Sequence, residues 1–307
     1  MFKKIKLILQ SVREYKKYAI MTPLFMVGEA AMECALPFVM SIFVDKIELL
    51  NGSIQFQDLW PYIVILVGMA MVSLVFGILG GRTAAIASTG LAKNLRGDLY
   101  RKLQSFSFEN IDKFQKSSLV TRMTTDITNT QGAFQMCIRI VVRAPLMMIF
   151  SMIMAFVSGG YMAFIFVVIM PLIAFGLFLI IKKAMPIFQK VFKRYDALNE
   201  SVQENVSGIR VVKSYVREDF EQKKFNKASD DITVEFVKAE KILAFNGPIM
   251  NFAIHASNML VCSIGAYLIY TNNINNFDPN HYKVLSVGQL SALLTYGVQI
   301  LMSLMMI

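Results

Sequence analysis

Two glutamates in this sequence have the type and spacing that most invite a chemical role. Glu29 and Glu33 lie in an apolar stretch four positions apart, so on a helix they share one face. Ionisable side chains within a membrane span are costly and are functional candidates by default. We predict that this face lines a pathway and favours cationic or amphipathic substrates. The alternative is a structural ion pair with a neighbouring helix, through Arg139 or Arg143.

A second set of polar residues lies in two later apolar stretches. Asn251, His255 and Asn258 fall on one helical face, and Gln299 can join them from the last apolar stretch. Two interpretations stay open for this set. It forms either a polar seam between packed helices or a contact with a substrate or proton in a central cavity.

The chain offers little for metal or covalent chemistry. Its cysteines, Cys34, Cys137 and Cys262, have neither metal nor redox spacing and are predicted to be reduced core residues. The sequence contains no G-x-x-x-x-G-K-[ST] phosphate loop, so we expect no catalytic site, metal or cofactor within it.

Arg139 and Arg143 share a helical face near the end of an apolar stretch. Snorkelling of their side chains to lipid phosphates is a second explanation for these two arginines.

Long apolar helices are the elements that must position these residues. The chain is 55% hydrophobic and only 17% charged, whereas soluble domains carry about 25% charged residues. Six stretches reach the roughly 20 apolar residues that a hydrocarbon core requires. They cover residues 18–44, 59–81, 136–157, 161–181, 243–270 and 284–307. Because lipid offers no hydrogen-bond partners, we predict an all-α membrane protein with a six-helix transmembrane bundle.

The basic residues predict how these spans are oriented. All but two of the 31 lysines and arginines fall before the first span, in the two long loops 82–135 and 182–241, or at the near end of the third span. Lys46 and Lys283 are the exceptions. The positive-inside rule therefore places both termini and both long loops in the cytoplasm of a multi-pass protein. The net charge of +10 is a topology signal and does not indicate nucleic-acid binding.

The long loops are predicted to be helical arms rather than flexible linkers. Leucines repeat every four residues from Leu91 to Leu103, with basic residues on the other faces, so the second span continues outward as an amphipathic helix. Residues 1–17 are predicted to form an amphipathic elbow helix along the membrane surface. Residues 18–307 then form one transmembrane domain.

Each arm is broken at its tip, where a short element is predicted to lie across it. The first tip comprises Phe108, Glu109, Asn110, Ile111, Asp112, Lys113, Phe114 and Gln115. The second comprises Gly208, Ile209, Arg210, Val211, Val212, Lys213, Ser214 and Tyr215. Ser107 can cap the first element and Ser207 precedes the glycine that interrupts the second arm. An ordinary loop turn is the alternative for both.

The sequence around these tips resembles the intracellular loops of ABC exporters. The first loop is matched by SFENIDKF and SLVTRMTTD, at residues 107–114 and 118–126. The second is matched by LNE and ENVSGIRVVKSYVRE, at residues 198–200 and 204–218. QLSALLTY and QILMSLMM, beginning at residues 289 and 299, resemble the start of the sixth span. The overall pattern is similar to bacterial multidrug-type half-transporters, many of which are heterodimers.

This resemblance implies the exporter-type bundle with long cytoplasmic helical extensions. It also implies a nucleotide-binding domain, expected outside the 307 residues, that brings ATP and Mg²⁺ to an ATPase-coupled translocase. Two half-transporters would pair as a homo- or heterodimer in the bacterial plasma membrane. The arm tips would be coupling helices one and two, which contact the nucleotide-binding domains. The dimer would export hydrophobic or amphipathic compounds, whether drugs, lipids or peptides, by alternating access.

Two other function classes stay open on the residues alone. A secondary carrier would place its ion site at broken helices near mid-membrane, often within inverted repeats. The sequence has no visible internal repeat, and the long arms count against a carrier. The second class is a membrane scaffold subunit that does not transport.

Overall fold

The part of the chain that the structure describes is almost entirely helical. The computed structural model describes residues 8–49, 56–107, 116–274 and 285–306. Every regular element within these ranges is a helix, which confirms the all-α class. Helices suit an apolar chain because each one satisfies its own backbone hydrogen bonds.

Ten α-helices can be labelled along the described ranges. In order they are α1 Lys16–Leu49, α2 Phe56–Gln104, α3 Lys116–Thr121, α4 Ile127–Met136, α5 Val142–Gly159, α6 Phe164–Ser207, α7 Ile209–Ser214, α8 Glu218–Leu243, α9 Asn246–Ile274 and α10 Val287–Met306. Short π-helical segments at Arg122–Asp126 and Cys137–Val141 join α3, α4 and α5. Short 3-10 turns lie at Arg13–Tyr15 and Gly160–Ala163.

Five helical segments of the described chain are long and apolar enough to cross a membrane. They are Arg13–Glu48, Leu59–Gln104, Ser118–Ser207, Glu218–Thr271 and Val287–Met306. The third segment contains both the third and the fourth predicted spans. The six predicted spans therefore fall on these five segments, and their exact bounds stay predictions.

A glycine turn interrupts the longest of these segments. α5 ends at Gly159, and Gly160 has a φ of 52°, in the region that L side chains rarely adopt. Only glycine enters this conformation without a steric penalty. The turn lies between the third and fourth predicted spans, which end at residue 157 and begin at residue 161.

Two compact units make up the chain. The larger unit comprises Met1–Phe166 together with Asn258–Ile307, and the smaller one comprises Val167–Ser257. The two candidate pathway glutamates lie in the larger unit, and the second arm tip lies in the smaller one.

Small residues bring the helices of the larger unit into contact. α1 packs along α2, α5 and α10. Ala30 of α1, Ala84 of α2 and Ala155 of α5 are all completely buried. Small side chains let helix backbones approach closely, which is the usual basis of packing between membrane helices. The functional side chains described below lie at these same contacts.

The N-terminal segment before α1 docks on the distal part of α2. The backbone oxygen of Ser11 accepts a 2.9 Å hydrogen bond from Asn94 Nδ2. Arg13 Nη2 donates to both carboxylate oxygens of Asp98, at 3.0 and 3.2 Å. Residues 8–10 of this segment are helical, and the rest of the predicted elbow helix, residues 1–7, lies outside the described residues. The described part is thus held by polar contacts to α2.

Candidate functional site

Three ionisable side chains meet within the larger unit. Glu29 and Glu33 project from α1, and Arg143 is the second residue of α5. Arg143 Nη2 donates to both oxygens of Glu33 at 2.7 Å, and its Nη1 lies 3.4 Å from Glu29 Oε1. One guanidinium therefore bridges both glutamates, which is the ion pair that the sequence left open as the alternative. We call Glu29, Glu33 and Arg143 the acidic cluster.

Burial within the acidic cluster is uneven. The side chain of Glu29 is 10% exposed, whereas the side chains of Glu33 and Arg143 are each 29% exposed. Glu29 Oε2 is buried and has no hydrogen-bond partner among the described residues. The guanidinium balances one of the two carboxylates, so one negative charge is left over. Glu33 makes the shorter contacts with Arg143, so the excess negative charge lies on Glu29. Glu29 is also the more buried of the two carboxylates.

Glycines on α1 and α2 allow the two helices to pack closely beside Glu29. A Cβ atom at Gly77 of α2 would lie 3.3 Å from Glu29 Oε1. A Cβ atom at Gly28 of α1 would lie 3.1 Å from the ring of Phe76. Both distances are shorter than ordinary contacts, so the two helices depend on glycine here for their close approach.

A chain of hydrogen bonds extends from the acidic cluster towards α10. Ser151 Oγ of α5 donates to Gln299 Oε1 of α10 at 3.0 Å and lies 3.3 Å from Cys34 Sγ. Gln299 Nε2 in turn lies 3.5 Å from the backbone oxygen of Glu33. The hydroxyl of buried Tyr296 donates to the backbone oxygen of Cys34 at 2.9 Å. These bonds link α1, α5 and α10 around one polar region.

Sequence reasoning named Gln299 but missed two members of this chain. It grouped Gln299 with the polar face of α9, whereas its hydrogen bonds run to Ser151 and Glu33. Nothing in the sequence marks Ser151 and Tyr296 as hydrogen-bonding partners, because serine and tyrosine are ordinary residues in apolar helices. The only signal that would have found them is knowledge of which helices pack together.

The polar residues of α9 do not share one environment. Asn251 and His255 are exposed in the smaller unit, and Asn258 is half-buried in the larger one. Asn258 Oδ1 is itself buried without a hydrogen-bond partner in the part of the chain that the structure describes. Their placement on a substrate pathway stays a prediction.

The second arm tip contains a short helix. α7 is flanked by breaks at Gly208 and Tyr215 and lies within the predicted range 208–215. Val211 and Tyr215 are 60% and 74% exposed. Asn205 Nδ2 of α6 donates to Glu221 Oε2 of α8 at 2.9 Å, which ties together the two helices on either side of α7. The tip therefore presents apolar and aromatic side chains outward.

An apolar groove lies beside the second arm tip. The groove at the second tip has a volume of about 400 Å³ and is lined by residues that include Val202, Val206, Ile209, Val212 and Phe225. The predicted first coupling helix, residues 108–115, lies outside the described residues.

A smaller apolar groove lies in the described part of the first arm. It has a volume of about 90 Å³, and its lining includes Leu99, Leu103, Phe106, Leu119 and Met123. Its walls come from the end of α2 and the beginning of the helical stretch that starts at α3.

Several known proteins are similar in sequence to this chain. The uncharacterized ABC transporter ATP-binding protein YfiB of Bacillus subtilis is 27% identical over 295 residues, which are 95% of this chain and 48% of that protein. The uncharacterized ABC transporter ATP-binding protein Rv1273c of Mycobacterium tuberculosis is 25% identical over 303 residues, which are 98% of this chain and 50% of that protein. An ATP-dependent lipid A-core flippase of Pseudomonas savastanoi is 27% identical over 190 residues, 62% of this chain and 32% of that protein. The chain spans about half the length of the first two relatives.

The family match covers nearly the whole chain. The model of the ABC transporter transmembrane region matches residues 19–304. The described residues contain no group of three or more His, Cys, Asp or Glu side chains that could hold a metal ion. The five membrane-length helical segments agree with the family match. The chain is therefore a multi-pass membrane protein and belongs to the family of ABC transporter transmembrane regions.

Proposed function

We propose that this chain is the substrate-translocation domain of an ATP-driven ABC exporter. It moves hydrophobic or amphipathic compounds out of the cytoplasm or the inner leaflet by alternating access. The observation that carries this proposal is the match to the ABC transporter transmembrane region over residues 19–304. The name of the flippase relative refers to a lipid, which supports amphipathic substrates in particular.

Under this proposal the energy comes from a partner domain. The first relatives are named as ATP-binding proteins, and this chain aligns with about half of each. A nucleotide-binding domain therefore binds ATP and Mg²⁺ and drives this membrane domain. A second half-transporter, identical or different, completes the dimer in the cell membrane. Both termini and both arms face the cytoplasm, as the basic residues predict.

The arm tips transmit the motion in this proposal. α7 is short, and Val211 and Tyr215 at its exposed side are suited to a contact with a separate domain. The segment 108–115, which contains Phe114, has the same role in the first arm. Exposed aromatic side chains are typical anchors of protein interfaces, because they bury a large area at a small cost in entropy.

The test is transport by the full-length protein in sealed liposomes, alone and with each candidate partner half. We expect uptake of an amphipathic fluorophore that depends on ATP, together with ATP hydrolysis that the fluorophore stimulates. Uptake driven by a proton gradient without ATP would identify a secondary carrier instead. Absence of both uptake and stimulated hydrolysis in every pairing would identify a scaffold.

A further inference from the structure

We propose that the acidic cluster binds the ammonium group of an amphipathic amine, with Glu29 as its main acceptor. This inference rests on the proposed function, since it names the substrate class that the same membrane domain accepts. A general preference for cations would treat both glutamates alike, whereas here the three residues have separate roles. Glu33 holds Arg143, and Glu29 is left to receive the ligand.

The charge balance of the cluster is the first argument. Two carboxylates share one guanidinium, and Arg143 Nη2 is committed to Glu33 through two contacts of 2.7 Å. The contact of Nη1 to Glu29 is longer, at 3.4 Å. A carboxylate with only partial compensation is costly in an apolar interior. One additional positive charge at Glu29 brings the cluster to neutrality.

The unpaired oxygen of Glu29 is the second argument. Glu29 is 7% exposed as a residue, and its Oε2 has no hydrogen-bond partner among the described residues. A buried acceptor without a donor costs free energy, so the site favours a ligand that supplies one. An ammonium group carries both a positive charge and up to three N–H donors.

The composition of the site argues for an organic cation over a metal ion. Hard divalent cations need six or more oxygen ligands, or an octahedral shell. The described residues place two carboxylates here and contain no group of three or more potential metal ligands. An ammonium group needs only one or two acceptors, which the carboxylate of Glu29 supplies.

The neighbouring side chains suit the apolar part of such a ligand. The ring of Phe76 lies against Gly28, the residue before Glu29. The ring centroids of Phe25 and Phe76 are 6.3 Å apart. These rings on neighbouring turns of α1 and α2 offer an apolar surface for the hydrocarbon part of the ligand. The partly exposed side of the cluster, formed by Glu33 and Arg143, gives the ligand its access.

The test measures binding by the full-length protein in lipid nanodiscs, without ATP. The probe is dansylcadaverine, a fluorescent primary amine, and its uncharged counterpart is N-pentyl dansylamide. Empty nanodiscs correct for partition into lipid. The variants are Glu29→Gln, which removes the charge with little change of shape, and Glu48→Gln, which removes an exposed glutamate from the same helix.

We expect Glu29→Gln to weaken binding of the amine about tenfold. The loss of one hydrogen bond to a charged group corresponds to a change in affinity of about this size. Binding of the uncharged probe should not change in this variant, which also shows that the protein is folded. Glu48→Gln should bind both probes as the parent does. The proposal is overturned if the parent does not prefer the amine, or if Glu29→Gln changes both probes equally or neither.

Transport of the amine by the same preparation separates this inference from the proposed function. Glu29-dependent binding without ATP-driven transport would keep the amine site and remove the exporter proposal. ATP-driven transport of the amine that Glu29→Gln does not impair, with binding also unchanged, would keep the exporter and remove the site.

Discussion

Asp45, near the end of α1, holds the first turn of α10 through Gly288. The backbone N–H of Gly288 donates to Asp45 Oδ1 at 2.8 Å, and the hydroxyl of Ser286 donates to Asp45 Oδ2 at 2.7 Å. The backbone N–H of Ser286 donates to Gln289 Oε1, and the backbone N–H of Gln289 donates to Ser286 Oγ, each at 3.1 Å. The first N–H groups of a helix lack partners within it and favour negative charge. Asp45 therefore joins two membrane-length helices at their ends.

Asp45→Ala should destabilise the protein by about 1 kcal/mol, since it removes both an N-terminal cap and a favourable charge. The measurement is the midpoint of thermal unfolding, followed by far-ultraviolet circular dichroism in detergent. Glu48→Ala is the matched control, because Glu48 is an exposed acidic residue of the same helix. Equal midpoints for the two variants would contradict the proposed cap.

Gly288→Ala should be destabilising even though alanine is the better helix former. A Cβ atom at Gly288 would overlap with the backbone oxygen of Ser41, which cannot move aside as a flexible side chain can. We expect a loss of about 1–3 kcal/mol, as for other overpacked sites. Gly68→Ala is the control, since nothing lies within 4 Å of the added atom there. In the same unfolding assay the Gly68→Ala control should be as stable as the parent or slightly more stable. A Gly288→Ala variant more stable than this control would refute the close contact.

Asp98→Ala should release the N-terminal segment without unfolding the rest of the protein. Asp98 accepts hydrogen bonds from Arg13 and from Ser11, whose hydroxyl lies 3.3 Å from Oδ2. Exposed ion pairs contribute about 0.2–1 kcal/mol, so the effect should be local. Hydrogen exchange measured by mass spectrometry should become faster around Ser11 while the unfolding midpoint stays unchanged.

Glu14→Ala is the control for the N-terminal segment. The contact between Glu14 and Lys93 is 3.9 Å long, and both side chains are largely exposed. This variant should exchange like the parent. If Asp98→Ala also exchanges like the parent, the segment is held by its apolar contacts and not by Asp98.

Helical spacing was enough to predict the shared face of Glu29 and Glu33 but not their partner. Residues four apart on a helix always meet on one side, whatever the helix packs against. Arg139 and Arg143 were both candidates, because each can reach a neighbouring helix. The choice of Arg143 depends on how α5 lies against α1, and that is a property of tertiary packing. The same reason explains why the hydrogen bonds of Gln299 to Ser151 and to the backbone of Glu33 were not predicted.

Local breaks in the helices were easier to predict than contacts between them. Ser207-Gly208 interrupts a helical pattern, and α7 begins directly after Gly208. Glycine at Gly160 likewise allows the positive φ of the turn after α5. By contrast, the role of Gly77 beside Glu29 has no signature in the sequence, since it depends on which face of α2 meets α1.

The ion pair between Glu33 and Arg143 should show strong thermodynamic coupling. Glu33→Gln, Arg143→Gln and the double variant form a double-mutant cycle, and we expect a coupling energy of about 1–3 kcal/mol. Arg143→Gln should be the more damaging single change, because it leaves two carboxylates facing each other without a cation. The unfolding free energies in urea give the coupling.

Arg139→Gln combined with Glu33→Gln provides the comparison cycle. The ion pairs to both glutamates come from Arg143, so the Arg139 cycle should be close to additive. Strong coupling to Arg139 together with additivity at Arg143 would reverse the assignment of the pair.

Tyr215→Ala should uncouple ATP hydrolysis from transport in the full-length protein. Tyr215 follows α7 directly and is 74% exposed, so its removal leaves no cavity in the arm. Tyrosines at the centre of interfaces contribute about 2 kcal/mol, so transport should fall by roughly tenfold or more while hydrolysis persists. Tyr195→Ala is the matched control, because Tyr195 is a 43% exposed tyrosine of α6 that lies away from the tip. Normal transport in the Tyr215 variant, or an equal loss in both, would mean that α7 is not the point of contact.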